Sequence, residues 1–198
     1  MRRLSVVEIF YSLQGEGANM GKPAVFIRLA GCNLNCSFCD TEWKNGTEMS
    51  VEEILLEVRK YPSKMLIWTG GEPTLQLDDD VLASFSDFYN CIETNGTNPV
   101  PKGMDYIACS PKVSCKILQK NFVFVNEFRF PVQKNDVLPA ISELPKAENY
   151  IVSPIFSKKI KGGIDKKNAE NLTFCIDFVK RNPEWRLSFQ SHKLLEIE

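Results

Sequence analysis

The sequence predicts an α/β fold in which mostly parallel strands wind into an incomplete TIM-type barrel. Short apolar runs rich in Val, Ile and Phe alternate with segments of helical periodicity, and such alternation implies right-handed parallel crossovers. Polar or glycine-rich motifs follow the strands directly, at the edge where α/β barrels carry their active sites. The 198 residues also fall short of the ~250 that a closed eight-stranded barrel takes.

Taken in order, Val6–Phe10 and Ala24–Leu29 read as strands. A helix opens at Ser50, where Glu53 completes a capping box and Met49 can staple to Ile54. Ile54, Leu55, Val58 and Tyr61 form its apolar stripe, and Pro62 stops it. Met65–Thr69 is a short strand running into Gly70-Gly71, and a helix is expected over Asp79–Phe88. Cys91–Glu93 and Tyr106–Cys109 are strands that end in Thr94-Asn95-Gly96 and Ser110-Pro111. No helix is evident between Asn95 and Tyr106, as expected of a partial barrel with simplified crossovers. Glu127–Val132, Tyr150–Val152 and Arg186–Phe189 complete the strands, with helices over Asp136–Leu144 and Asn168–Arg181. With 43% hydrophobic residues and no internal repeat, residues 1–198 read as a single domain with a sizeable core.

A net charge of −1 and a pI near 6.0 offer no electrostatic capture of nucleic acid or of an anionic membrane. No run approaches the ~18 apolar residues of a membrane span. Arg2 and Arg3 are followed by no apolar signal region, since Glu8 interrupts it. A cytoplasmic protein is expected. There are seven cysteines, an odd number, and three of them crowd into eight residues. In a reducing compartment that means metal or redox chemistry before disulfides.

The crowded segment is Gly31-Cys32-Asn33-Leu34-Asn35-Cys36-Ser37-Phe38-Cys39-Asp40-Thr41, with the spacing C-x3-C-x2-C. Soft thiolates favour iron–sulfur clusters or zinc. A structural zinc site normally has four ligands, whereas a cubane cluster on three protein ligands keeps one iron open. A zinc site that borrows a fourth ligand, and plain buried thiols, remain the alternatives. Cys91, Cys109, Cys115 and Cys175 lack such spacing; Cys91 and Cys109 lie in apolar strands and Cys175 on a helix, which suits small core residues.

The motif resembles that of the radical S-adenosylmethionine (SAM) superfamily, C-x3-C-x-Φ-C, with Phe38 as the aromatic Φ. The resemblance implies a 4Fe–4S cluster on Cys32, Cys36 and Cys39, whose open iron binds SAM and cleaves it to a 5′-deoxyadenosyl radical. It also implies the trimmed barrel of that superfamily. Thr69-Gly70-Gly71-Glu72-Pro73 looks like the superfamily's GGEP motif, which would place Gly71 and the acceptor Glu72 at the SAM ammonium. Phe38 would pack near the adenine, and Asp40 would also contact SAM. Ser110, Pro111 and Lys112 follow a strand and suit the SAM carboxylate or ribose, and Ser153-Pro154 follows a later strand toward the same pocket.

Outside that shared core, the Leu13-Gln14-Gly15-Glu16-Gly17 loop is a strand-to-loop step with an amide and a carboxylate suited to the edge of a heterocycle. With Phe26-Ile27-Arg28-Leu29-Ala30-Gly31-Cys32, Cys39-Asp40-Thr41 and the terminal Trp185–Lys193 segment, it makes essentially the whole chain similar to the 7-carboxy-7-deazaguanine synthases of deazapurine (queuosine) biosynthesis. That resemblance implies a lyase that contracts the ring of 6-carboxy-5,6,7,8-tetrahydropterin with loss of ammonia, assisted by Mg²⁺. Leu13, Gln14, Gly15 and Glu16 would face the pterin, and Arg28 its carboxylate, whose geometry a planar guanidinium matches. Thr41 would be a Mg²⁺ ligand; Thr69, Gln190, His192 and Glu198 would contact substrate. A homodimer and a flavodoxin- or ferredoxin-type electron donor are implied as well. The rivals are a glycyl-radical enzyme activase, which shares the three-cysteine motif, and a non-enzymatic metal-binding module.

Overall fold

A computed structural model describes residues 2–39, 41–156 and 165–197. The strands are β1 (Arg3–Leu13), β2 (Pro23–Leu29), β3 (Thr47–Ser50), β4 (Met65–Gly70), β5 (Tyr89–Thr94), β6 (Tyr106–Cys109), β7 (Phe124–Val132), β8 (Lys146–Pro154) and β9 (Trp185–Leu187). The helices are α1 (Val51–Val58), α2 (Asp79–Ala83), α3 (Cys115–Asn121), α4 (Lys166–Arg181) and α5 (Ser191–Leu195). All nine strands form one sheet in the order β3-β1-β2-β4-β5-β6-β7-β8-β9. From β2 to β9 every neighbour is parallel, while β1 is antiparallel to β2 and to β3. The expected mostly parallel, incomplete barrel is therefore observed, with β3 and β9 as open edges. Among the described residues no helix is long and apolar enough to cross a membrane.

The expected start of α1 is present. Ser50 Oγ accepts from the Glu53 N–H at 3.2 Å, and the Glu53 carboxylate accepts from the Ser50 N–H at 2.6 Å. Such a cap stabilises a helix by about 1 kcal/mol. Other expectations need correction. The helix expected over Asp79–Phe88 stops at Ala83, because Phe85 and Phe88 turn into the core, Phe85 lying edge-on to Trp68 at 4.9 Å. The helix expected over Asp136–Leu144 is a single 3-10 turn at Ile141–Glu143; Pro139 lies inside the segment and can neither donate its hydrogen bond nor clear the preceding carbonyl. β3, α3 and α5 were not expected, being too short to show a period. The last strand ends at Leu187, where it leaves its pairing with β8.

Strand alternation builds two different faces. Outward, Val25, Ile27, Leu29, Leu66 and Trp68 pack on Val51, Ile54, Val58, Val81 and Leu82 of α1 and α2. Phe128, Phe130, Val152 and Trp185 pack on Leu118 and Cys175 of α3 and α4. Inward, Ala24, Phe26, Met65, Ile67, Cys91, Tyr106 and Ala108 fill the base of the barrel with Phe10. Two residues further along the same strands, that face becomes polar, at Arg28, Thr69, Glu93 and Ser110.

Candidate active site

Two adjoining cavities open at this C-terminal edge of the strands. The smaller, about 250 Å³, is lined by Cys32, Cys36, Phe38 and Cys39, by Thr69, Gly70 and Gly71 at the end of β4, by Ser110 and Lys112 after β6, and by Ser153 and Pro154 of β8. The larger, about 820 Å³, is lined by Leu13, Gln14, Gly15, Glu16 and Arg28, and by Gln190 and His192 of the terminal segment. Glu16, Thr41, Thr69, Glu93, Arg129, Gln190 and Lys193 line both, so the two share a wall. Nearly every residue expected at the site is thus brought to one place. Asp40 and Glu198 lie outside the described residues.

The cysteine loop is fixed by its neighbours. The Gly31 N–H donates to Trp43 O at 2.9 Å, and the Glu72 N–H donates to Gly31 O at 2.9 Å. Asn33 donates to Thr97 Oγ1 at 2.8 Å and accepts from Asn95 Nδ2 at 3.0 Å, which ties the loop to the turn after β5. A Cβ on Gly71 would come within 1.8 Å of Gly31 O, so only glycine lets the β4 turn approach this closely. Burial pushes the Cys32 thiol above its ordinary value. A hydrogen bond from the Leu34 N–H opposes the shift, and Glu72, Cys36 and Cys39 add to it. The three thiols thus lie within electrostatic reach of one another, and all seven cysteines are free.

Two residues expected at SAM, Glu72 and Pro111, do not line the smaller cavity. Glu72 is fully buried and lines neither cavity. Its carboxylate accepts from the Thr74 N–H, from the hydroxyls of Thr74 (2.6 Å) and Thr94 (2.8 Å), and from the Asn95 N–H (2.7 Å). It therefore clamps the turns after β4 and β5 together behind the cavity wall. Pro111 lines a neighbouring groove with Val113, Cys115 and Leu138, and Lys112 borders both that groove and the smaller cavity. Lys112 Nζ donates to Ser110 O and Oγ at 3.0 and 2.8 Å and lies 5.4 Å from the centroid of the Phe38 ring. Burial pulls its ammonium below the ordinary value.

On the other side of the shared wall, Arg28 Nε donates to Glu8 at 2.6 Å, and its guanidinium lies 5.4 Å from the centroid of Phe10. Sequence reasoning missed a buried ionic cluster here. Arg129 of β7 contacts Glu16 (Nε, 2.9 Å), Glu127 (Nη1, 2.7 Å) and Glu93 (Nη2). Gln14 Nε2 donates to Glu93 at 2.9 Å. Burial pushes the Glu93 carboxyl up to about 7; Arg129 opposes this, and Glu127 and Glu16 add to it. Burial works against the charge on Arg129, but the three carboxylates hold it firmly protonated. The missed signal was Glu127 and Arg129 at alternate positions of a strand whose other face is Phe128 and Phe130. The terminal segment closes over the loop, with the Ser191 N–H and hydroxyl donating to Gly15 O at 3.0 and 2.8 Å.

The residues present fit the groups that the motif implies. Three free soft thiols face the smaller cavity. A cubane cluster spreads its thiolates over separate irons, so three soft ligands from one loop suit it. Ser153 Oγ is buried without a hydrogen-bond partner among the described residues, on the wall of that cavity. An unpaired buried hydroxyl is costly, and a polar ligand such as SAM would satisfy it. Thr41 lies in the shared wall and fits as one hard oxygen of an octahedral Mg²⁺ that otherwise keeps water and substrate oxygens.

Comparison with known proteins agrees with this geometry. The Radical SAM superfamily model matches residues 26–113. The chain is 43% identical to the 7-carboxy-7-deazaguanine synthase of Bacteroides thetaiotaomicron, over 100% of this chain and 99% of that protein. It is 40% identical to the synthase of Haemophilus influenzae, over 98% and 94% of the two. The crystal structure of QueE from Escherichia coli shares the fold with a TM-score of 0.70, at 24% identity over 96% of this chain and 95% of that one. The cysteine loop, the adjoining polar cavity and the full-length similarity lead to one conclusion: the chain belongs to the 7-carboxy-7-deazaguanine synthase family, within the radical SAM superfamily.

Proposed function

We propose that this chain is a radical SAM lyase that converts 6-carboxy-5,6,7,8-tetrahydropterin to 7-carboxy-7-deazaguanine, with loss of ammonia, for queuosine or a related deazapurine. The observation that carries the reading is the shared wall. A thiol-lined cavity for a cluster and SAM opens directly onto one whose wall carries Arg28, Gln14, Glu16 and Glu93 among its charged and polar groups. The cluster and SAM, when bound, supply one-electron chemistry that removes a hydrogen atom from C6 of the pterin, and Mg²⁺ supplies an orienting charge.

The chain's own residues bind, orient and exclude water. Cys32, Cys36 and Cys39 hold the cluster. Lys112, Ser110 and Ser153 offer donors to the SAM carboxylate and hydroxyls, with Phe38 and Pro154 as apolar wall. Arg28, whose Nε is engaged by Glu8, presents its remaining nitrogens to the substrate carboxylate. Gln14, Glu16 and Glu93 meet the donor-rich edge of the pterin, beside Leu13 and Gly15. Thr69 and Thr41 sit between the two ligands, Thr41 serving Mg²⁺. Gln190 and His192 cover the space from the terminal segment.

Residues 1–198 act as a single domain in this reading, supported by one continuous sheet. The protein works in the cytoplasm, since its ligand thiolates require a reducing compartment. It works as a homodimer, for which the exposed apolar Ile117, Val123 and Phe124 offer surface. Its electron donor is of flavodoxin or ferredoxin type, and nucleic acid and membrane play no part. The deciding experiment is anaerobic incubation of reconstituted protein with SAM, reductant and the carboxypterin, followed by mass analysis. Formation of 7-carboxy-7-deazaguanine is expected. A protein holding its cluster and cleaving SAM but leaving the pterin intact would overturn the reading.

A further inference from the structure

Glu127 and Arg129 carry charge into the barrel, yet nothing in the proposed chemistry employs them. The arrangement around them is specific. Each of the three guanidinium nitrogens of Arg129 takes a different carboxylate, from a different element: Nε takes Glu16 of the loop after β1, Nη1 takes Glu127 of β7 and Nη2 takes Glu93 of β5. A lysine has one compact charge and cannot form this three-way fork.

Glu127 is the anchor. It is 1% exposed. Besides Arg129, its carboxylate accepts from the Tyr106 hydroxyl at 2.9 Å and from the Ala18 N–H at 2.8 Å. The loop approaches so closely that a Cβ on Gly17, which has φ +70°, would fall 2.2 Å from a Glu127 oxygen. Glu127 therefore faces protein on every side. Glu16 and Glu93, in contrast, line the large cavity. Two carboxylates on one wall repel, and the cation that contacts both offsets that repulsion, with Gln14 donating to Glu93 as well.

We propose that Arg129, backed by Glu127, is a positioning residue that sets the separation and direction of Glu16 and Glu93 for the pterin. The inference rests on reading the larger cavity as the pterin site. It adds to the hydrogen bonds that hold the loop at Gly15 and Ala18, and so explains how the loop presents the Glu16 carboxylate in a fixed direction. The groups facing Glu93 are Glu16, Glu127, Arg129 and Gln14, with Tyr106 behind Glu127. Removing the guanidinium leaves three acids together, so Glu93 should hold its proton to higher pH.

The test uses the reconstituted, SAM-loaded protein and measures binding of the carboxypterin by anaerobic calorimetry across neutral pH, beside SAM binding and thermal unfolding. Arg129→Gln should weaken pterin binding at least about tenfold, as loss of a buried charge partner does. SAM binding, whose cavity Arg129 also borders, should fall by much less than pterin binding, and the pH dependence of pterin binding should shift upward. Arg129→Lys, which keeps the charge, should recover the fold but only part of the affinity. Glu127→Gln serves as the second variant if Arg129→Gln does not fold; it should weaken the pterin and leave SAM unaffected. Wild-type pterin affinity and pH profile in a folded Arg129→Lys protein would overturn the proposal, as would equal losses of SAM and pterin binding. If the wild-type protein itself does not bind the pterin, the reading of the cavity falls and the inference with it.

Discussion

The cysteine loop and the Arg129 cluster border the same cavities but are built in opposite ways. The loop places three ligands within eight residues, partly exposed, and is fixed mainly by hydrogen bonds to the turns beside it. The cluster gathers Glu16, Glu93, Glu127 and Arg129 from three elements, beneath the surface and with almost every polar atom engaged. The difference follows from what each must do. A cluster brings its own geometry, so its ligands need only reach it. A substrate edge brings donors and acceptors in fixed directions, so its partners must be rigid beforehand.

The sharpest way to break this contrast is Cys36→Ala. We expect loss of the cluster, of SAM cleavage and of turnover, with circular dichroism and thermal unfolding nearly unchanged, because the loop is a surface feature. The four other cysteines should be dispensable for the cluster. Iron and sulfide analysis with the visible absorption spectrum checks this, and a full cluster in Cys36→Ala would remove that residue from the ligand set.

The next largest effect concerns Arg28. A hydrogen bond to a charged group is worth roughly 1.5–3 kcal/mol, so Arg28→Ala should weaken pterin binding about tenfold or more while SAM cleavage persists. Calorimetric titration reads it directly; equal affinities would take Arg28 out of the carboxylate site. A smaller effect is expected at the shared wall. Thr41→Val should blunt the response to Mg²⁺ and slow product formation with the cluster still assembled. If the residue merely closes a turn, its loss will instead lower the unfolding temperature and leave the Mg²⁺ curve in place.

The smallest effect is a pH signature of the buried cluster. Glu93 titrates near 7 in the folded protein, against an ordinary value of 4.5. Its folded-state affinity for the proton is raised, so the stability it contributes is complete below about 4.5 and is lost as pH rises through about 7. Glu93→Gln should flatten that part of the stability profile. Thermal unfolding of both proteins across the window gives the comparison, and parallel curves would mean that Glu93 ionises normally.

Much of the site could be read in the sequence because its parts are local. The C-x3-C-x2-C spacing, the glycine pair after β4 and the capping box at Ser50 each act within a few residues. The partners of Glu72 could not be read, since its place beside Pro73 does not say that the carboxylate bonds to Thr74, Thr94 and the Asn95 N–H. The helix expected over Asp136–Leu144 failed for a local reason that was legible, the interior Pro139.

By itself, then, the sequence determined the three-cysteine loop, the order of most strands and the polar tips that follow them, because cysteine spacing, alternation and turn chemistry are short-range properties. Only the tertiary structure decided that Glu16, Glu93 and Glu127 meet at Arg129, and that Ser110 and Lys112 reach the smaller cavity while Pro111 does not. Alternation gives a strand two faces but does not say which one lies inside the barrel. That choice is made by the pairing of parallel strands far apart in the chain, where burying Phe128 and Phe130 on the outer face leaves Glu127 and Arg129 to meet within.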